Sequence, residues 1–138
     1  MTAKEYLQQA RSLDMLINAK QDELYALRLT ATSVSSPMLG DKVKSGSNNN
    51  AMQIVDKIIA LQELINSEVD RLVDLKTEIH SRIEKLSDPY ERLILTERYL
   101  NNKGWEEISR LLHYEERNTL YLHGKALQHF APFCSSLH

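Results

Sequence analysis

The sequence predicts an all-α protein, and three observations support this prediction. Only four glycines and three prolines occur among 138 residues, so long helices are possible. Apolar residues recur at three- and four-residue spacing over two long segments, which is the period of one helix face. A third segment, from Asp88 to Phe130, has the pattern of three shorter helices. We therefore expect a long helical hairpin or coiled coil at residues 1–86, followed by a three-helix unit at residues 88–130.

The first predicted helix covers residues 2–32. Thr2 is a suitable N-cap, with Glu5 three residues later as its reciprocal partner. Lys20 stands in the apolar stripe, where a charged residue weakens a helix seam and helps to fix its register. The stripe itself consists of Leu7, Ala10, Leu13, Ile17, Leu24, Leu27 and Ala31.

Residues 33–50 are predicted to form a loop, because serine, glycine, asparagine and proline replace the apolar periodicity there. Compact connections between helices span about 2–8 residues. This longer connection permits the flanking helices to lie antiparallel but does not require it.

The second predicted helix covers residues 51–86 and is roughly 50 Å long at 1.5 Å per residue. Glu68 interrupts its stripe, with Val69 beside it. A helix of this kind needs the first helix, a second copy of itself, or both to cover its apolar face. We expect a homo-oligomer, and the sequence leaves open whether the long helices pair within one chain or between chains. The stripe consists of Ile58, Leu61, Ile65, Leu72, Leu75, Ile79 and Leu86.

Asp88 and Pro89 mark the start of the third helix, since aspartate caps helices well and proline suits the first turn. This helix is predicted to end near Asn101, with Leu93, Ile94 and Leu100 as its core residues, before a turn at residues 101–104.

The last two helices have the spacing of a helix-turn-helix. The fourth is predicted at residues 105–113 and the fifth from residue 115 or 116 to about Phe130, with residues 131–138 as a tail. The small side chain of Ser109 lies where the two helices approach closely. The predicted inward positions are Trp105, Ile108, Leu111 and Leu112 on the fourth helix and Thr119, Leu122, Ala126 and Leu127 on the fifth.

A helix-turn-helix reads base edges in the major groove of double-stranded DNA with residues near the start of its second helix. Arg117 suits guanine and Asn118 suits adenine, with two hydrogen bonds each. Side chains farther along suit the phosphate backbone, which positions the helix without reading sequence. The predicted DNA-binding set is Arg117, Asn118, Leu120, Tyr121, His123 and Lys125.

The charge of this region is low for a DNA-binding unit. Residues 88–138 contain six basic and seven acidic side chains, and the whole chain has a net charge of −2 and a pI of about 6.2. Few phosphates can be neutralised, so we expect binding to need two copies or a partner protein already on the DNA.

The sequence does not predict an enzyme, a cofactor or a metal site. Glu106 and Glu107 are adjacent, so they point to different sides of a helix and make a poor acid–base pair. The five histidines and Cys134 lack zinc-ligand spacing, and Cys134 is expected to be a free thiol in the tail. The sequence has a single cysteine and lacks a signal-peptide pattern, which favours the cytoplasm. It also lacks an apolar run of about 20 residues, so we expect no membrane span.

Several segments resemble known proteins. The ERYL end of the third helix, the WEEI segment and LHGKAL in the last helix resemble region 4 of sigma-70 factors. LQQARSLDMLINAK, the serine-rich segment and the VDKII and LVDLK segments resemble small phage and prophage proteins of Gram-positive bacteria, near the ArpU-like and RinA-like regulators. The resemblance implies a phage-encoded transcriptional regulator, acting on late phage genes in the bacterial cytoplasm and contacting host RNA polymerase. Thr119 stands where these proteins commonly have valine or isoleucine.

Two other functions stay open. A phage packaging subunit of the small-terminase kind also joins a helix-turn-helix to an oligomerising coiled coil, and a ring of eight or more copies is typical of that class. A protein-interaction adaptor is the third interpretation, in which the acidic face no longer contacts DNA.

Overall fold

The computed structural model of the protein describes residues 1–34 and 45–135, which form helices joined by short turns and contain no strand. The predicted all-α class is confirmed. A π-helical turn, Thr96–Leu100, follows the third helix directly. The helices are α1 (Ala3–Val34), α2 (Ser45–Ile83), α3 (Pro89–Leu95), α4 (Trp105–Leu112) and α5 (Glu116–Ser135).

Helix α1 begins with the predicted capping box. The backbone N–H of Glu5 donates to Thr2 Oγ1 at 3.1 Å, and the N–H of Thr2 donates to Glu5 Oε2 at 3.3 Å. The two bonds satisfy donors that the first helical turn leaves unpaired.

The described parts of α1 and α2 from Met15 to Arg71 belong to one compact unit. Ile17, Leu24 and Ile65 are buried in it. The two charged residues that interrupt the predicted stripes, Lys20 and Glu68, form an ion pair with each other. The two helices therefore contact each other within a single chain, and the paired charges specify their alignment.

The helices extend farther into the predicted loop at residues 33–50 than expected. Helix α1 continues to Val34 and α2 begins at Ser45, while residues 35–44 lie outside the described part of the chain. Adding a residue to an existing helix costs much less free energy than nucleating a new one. The helical turns at residues 45–50 therefore form despite the low helix propensity of serine, glycine and asparagine.

The second compact unit combines Met1–Asp14 with the chain from Leu72 onward. Tyr6 stacks on Phe130 at 6.2 Å between ring centroids, and Arg11 Nη1 donates to the carbonyl of Arg98 at 3.1 Å. Asn102 donates to the Asp14 carboxylate. The first turns of α1 are thus anchored to the C-terminal helices, whereas the predicted boundary between residues 86 and 88 stays a prediction.

Helix α3 is capped as predicted, since Asp88 Oδ1 accepts from the N–H of Tyr90 at 2.8 Å and Pro89 occupies the first position. The predicted core of this segment was partly wrong. Leu95 and Tyr99 are buried beside Ile94, and Leu93 and Leu100 are only half-buried. The π-helical turn accounts for the part of the difference at Tyr99 and Leu100, because its wider winding rotates these residues relative to an α-helix.

No helix in residues 1–34 and 45–135 combines the length and the apolar character needed to cross a membrane.

Candidate nucleic-acid interface

Helices α4 and α5 pack against each other across a three-residue turn. His113 adopts a left-handed conformation with φ of 59°, and its N–H bonds to the carbonyls of Ser109 and Arg110. A residue in this conformation ends a helix and redirects the chain. The local geometry is therefore a helix, a tight turn and a second helix, as the sequence predicts.

Ser109 and Thr119 form the contact at the crossing of α4 and α5. Ser109 Oγ donates to Thr119 Oγ1 at 2.8 Å, and Thr119 Oγ1 donates to the carbonyl of Glu115 at 3.2 Å. Both side chains are buried. The buried Thr119 hydroxyl therefore both accepts and donates a hydrogen bond, which satisfies this polar group inside the core.

We expect Thr119→Val to lower the free energy of unfolding by about 1–2 kcal/mol, because it leaves the buried Ser109 hydroxyl without its acceptor. The double variant Ser109→Ala with Thr119→Val removes both hydroxyls and is expected to recover most of that loss. Urea denaturation of both variants tests this. Equal losses for the single and double variants would contradict the hydrogen-bonded seam.

His123 does not lie on the predicted DNA-facing surface, and its assignment is corrected. The side chain is 7% exposed, and its Nε2 is 2.7 Å from the Tyr99 hydroxyl. The Trp105 ring meets it edge-on at 4.6 Å between centroids. Burial lowers the pKa of His123 to about 4 and raises the pKa of Tyr99, so the imidazole is neutral and accepts from the tyrosine.

The spacing of α5 contains the signal that places His123 inside. Thr119, His123, Ala126 and Phe130 follow one another at four, three and four residues and are all buried. A histidine on a buried stripe is a core residue by its position, whatever its polarity.

The other five predicted contact residues are exposed on α5. The Tyr121 ring is 67% exposed, and Lys125 Nζ lies 5.6 Å from its centroid in a cation–π contact. The predicted exposure is therefore confirmed, and contact with DNA stays a prediction. The exposed set is Arg117, Asn118, Leu120, Tyr121 and Lys125.

Leu111 is a second correction, since it was predicted to face inward and is 46% exposed. Helix α4 has only eight residues, and Ile108 and Leu112 fill its buried face. The exposed aromatic pair of Tyr90 and Tyr114, with ring centroids 6.4 Å apart, was missed by sequence reasoning. The two residues are distant in sequence, and only the fold brings them together beside the turn.

Half of the basic side chains in residues 88–135 are engaged inside the fold. Arg92 Nη1 donates to the carbonyl of Leu86 at 2.6 Å, and the Arg98 guanidinium lies 4.3 Å from the centroid of Trp105. Lys103 pairs with Glu97 at 2.9 Å. The exposed basic residues on α4 and α5 are Arg110, Arg117 and Lys125.

Four exposed acids accompany these three bases. Glu106 and Glu107 lie in the first turn of α4, and Glu116 lies in the first turn of α5 beside Glu115. Carboxylates at these positions stabilise the helices through the helix dipole but repel phosphates. With four exposed acids beside three exposed bases, this surface is poorly suited to purely electrostatic contact with phosphates.

Helix α5 continues past the predicted end at Phe130 and reaches Ser135, with Pro132 inside it. Proline removes one helical hydrogen bond. Two features offset this loss. The Cys134 side chain is buried, and the carbonyl of Phe133 accepts a hydrogen bond from Arg82 Nη1 at 2.6 Å. Cys134 is therefore not a tail thiol, and burial raises the pKa of its thiol. Residues 136–138 of the predicted tail lie outside the described part of the chain.

Glu91 and His129 connect α3 to α5, with His129 Nδ1 at 2.8 Å from both carboxylate oxygens of the buried Glu91. Within the described ranges, no group of three or more His, Cys, Asp or Glu side chains is placed to hold a metal ion.

Comparisons with known proteins identify the family. No curated protein and no solved structure matches the chain. A family model described as "Protein of unknown function (DUF1492)" matches residues 32–129, which include all of α2, α3 and α4 and most of α5. Because that match covers more than half of its residues, the chain belongs to the DUF1492 family.

Proposed function

We propose that this protein is a sequence-specific DNA-binding transcriptional regulator of the phage type, with α5 as its recognition helix. The observation that carries the proposal is the exposure of Arg117 and Asn118 in the first turns of α5, behind a short α4 and a tight turn. The resemblance of residues 88–130 to sigma-70 region 4 supports the same function.

The exposed side chains of α5 suit two kinds of contact. Arg117 presents a fork of donors that matches guanine O6 and N7, and Asn118 presents a donor and an acceptor that match adenine. Tyr121 and Lys125, two and three turns into the helix, suit phosphates. His123 is buried beneath these side chains, where it contacts Tyr99 and Trp105. Its role in this proposal is to position α5, and it makes no contact with DNA itself.

Three exposed bases limit the electrostatic part of binding. If Arg110, Arg117 and Lys125 each neutralise one phosphate, the slope of log affinity against log salt is about −2.7 per copy. Such a shallow dependence corresponds to weak binding by one copy. We therefore propose that the protein binds as a homo-oligomer and that host RNA polymerase is a further partner.

The double variant Arg117→Ala with Asn118→Ala tests the recognition helix. We expect it to lose sequence-selective binding, because each bidentate contact contributes about 1–3 kcal/mol of discrimination. The measurement is a titration, at several salt concentrations, against tiled fragments of the phage or prophage genome that encodes the protein.

The matched control is Lys57→Ala with Gln53→Ala, which removes the same charge and one amide from exposed positions of α2 in the other compact unit. It is expected to bind like the unmodified protein. Unchanged fragment selectivity in the Arg117 and Asn118 variant would show that α5 is not the recognition helix. Absent DNA binding with retained polymerase binding would favour the adaptor function instead.

A further inference from the structure

Helix α2 carries a second apolar row beside the one that faces α1. Met52, Val55 and Ile59 are 66%, 48% and 52% exposed, at three- and four-residue spacing. The same spacing continues through Gln62, Asn66 and Val69. We call these six residues the outer row of α2. A sustained three-and-four repeat is the pattern of a helix seam, and among residues 1–34 and 45–135 nothing buries the Met52, Val55 and Ile59 side chains of this one.

The compact unit that contains the outer row has a small core of its own. Among its described residues, only Ile17, Leu24 and Ile65 are buried apolar side chains. Two long helices with so little burial are marginal in water, and helical bundles gain stability by covering a second seam. An additional helical surface packed on the exposed side of α2 would therefore stabilise this unit.

The polar residues of the outer row indicate what covers it. Gln62 Nε2 donates to Asn66 Oδ1 at 3.0 Å, and Arg28 Nη2 donates to Gln62 Oε1 at 3.2 Å. Primary amides carry both donors and acceptors, so an identical amide from another copy can satisfy them. A charged residue has no such self-complementarity. An asparagine in a seam also fixes the register and number of identical helices.

We propose that the outer row of α2 is the interface with a second copy of this chain. Met52, Val55, Ile59 and Val69 supply its apolar contacts, and Gln62 and Asn66 supply a central polar layer that specifies self-association. This inference deepens the proposed function and rests on it in one respect. Self-association through α2 supplies the second recognition helix and doubles the three exposed bases that each copy offers to DNA.

The test is sedimentation velocity on the full chain without DNA, comparing Asn66→Lys with Ser67→Lys. Asn66 is exposed and lysine is a good helix former, so the folded single chain tolerates the change. In the interface, the new cations of both copies face one another, and self-association is expected to weaken by about tenfold or more. Ser67 is exposed, adjacent and outside the row, so Ser67→Lys adds the same charge and is expected to associate normally.

A second pair of variants distinguishes loss of the interface from loss of the fold. Ile59→Asp and Leu64→Asp each replace an exposed apolar residue of α2, but Leu64 lies outside the outer row. We expect a monomer with retained helical circular dichroism for Ile59→Asp and normal association for Leu64→Asp. A monomeric unmodified protein, or association by Asn66→Lys at full strength, would overturn the proposal.

The two proposals fail separately. A monomer that still selects DNA fragments would overturn the α2 interface and leave the DNA-binding function standing. An oligomer that depends on Asn66 but binds every fragment alike would leave the interface standing and overturn the recognition helix.

Discussion

Replacing Phe130 with alanine is expected to lower the free energy of unfolding by about 3–5 kcal/mol. Phe130 is fully buried near the end of α5. Its ring stacks on Tyr6 of α1 and meets Phe133 edge-on at 6.4 Å between centroids. Alanine loses the burial of the ring, leaves a cavity and breaks both aromatic contacts. The loss is a large part of the roughly 5–15 kcal/mol that stabilises a typical domain.

Urea denaturation followed by circular dichroism measures this effect, with Leu120→Ala as the control. Leu120 lies on the same helix and is 45% exposed, so its truncation is expected to change the free energy of unfolding by less than about 0.5 kcal/mol. Similar losses for both variants would mean that the end of α5 does not hold the start of α1 in place. A loss of stability for Phe130→Ala alone would confirm that its contacts with Tyr6 and Phe133, which lie outside the helix-turn-helix, stabilise α5.

The parts of the fold that follow from local chemistry could be predicted from the sequence. The capping box of Thr2 and Glu5 and the cap of α3 at Asp88 each involve residues within three positions of one another. The apolar stripes depend only on the period of the helix. Lys20 and Glu68 were identified as interruptions of two stripes, but their pairing needed the fold, because they lie 48 residues apart.

Features that depend on tertiary contacts could not be predicted in this way. The π-helical turn has no single-residue signature, and it changes which of the residues after Leu95 face the core. Helix α5 passes through Pro132 because Arg82, fifty-one residues before Phe133, donates to the carbonyl of that residue. A proline and the end of the apolar stripe favour a tail locally, and the tertiary contact outweighs both.

The residues of the candidate site also divide into those that could be predicted from the helix period and those that depend on tertiary contacts. Five of its six predicted residues are exposed, since the period of α5 fixes which side faces away from α4. His123 was included for its hydrogen-bonding chemistry, although its position belongs to the buried stripe. The stacked pair of Tyr90 and Tyr114 needed the fold to bring its two rings together. For residues on a regular helix, position is thus a better guide to exposure than chemical type.

The buried His123 leads to a second large effect, a loss of stability at mildly acid pH. Its pKa is about 4 in the folded protein and about 6.5 in an unfolded chain, so the unfolded state binds more protons between these values. The contribution of His123 is therefore fully present above about pH 6.5 and is lost as the pH falls toward 4. A depression of this size corresponds to a stability change on the order of 3 kcal/mol.

His123→Gln isolates this contribution, because a glutamine oxygen can still accept from the Tyr99 hydroxyl but does not titrate. Urea denaturation at pH 7 and pH 4.5 should show the unmodified protein losing more stability than His123→Gln between the two conditions. His80→Gln, at an exposed position in the last turn of α2, is expected to follow the unmodified protein at both pH values. Parallel losses for the unmodified protein and His123→Gln would mean that the imidazole already accepts a proton in the folded state. In that case Tyr99 and Trp105 would not enclose it, and α5 would be held against the π-helical turn by apolar contacts alone.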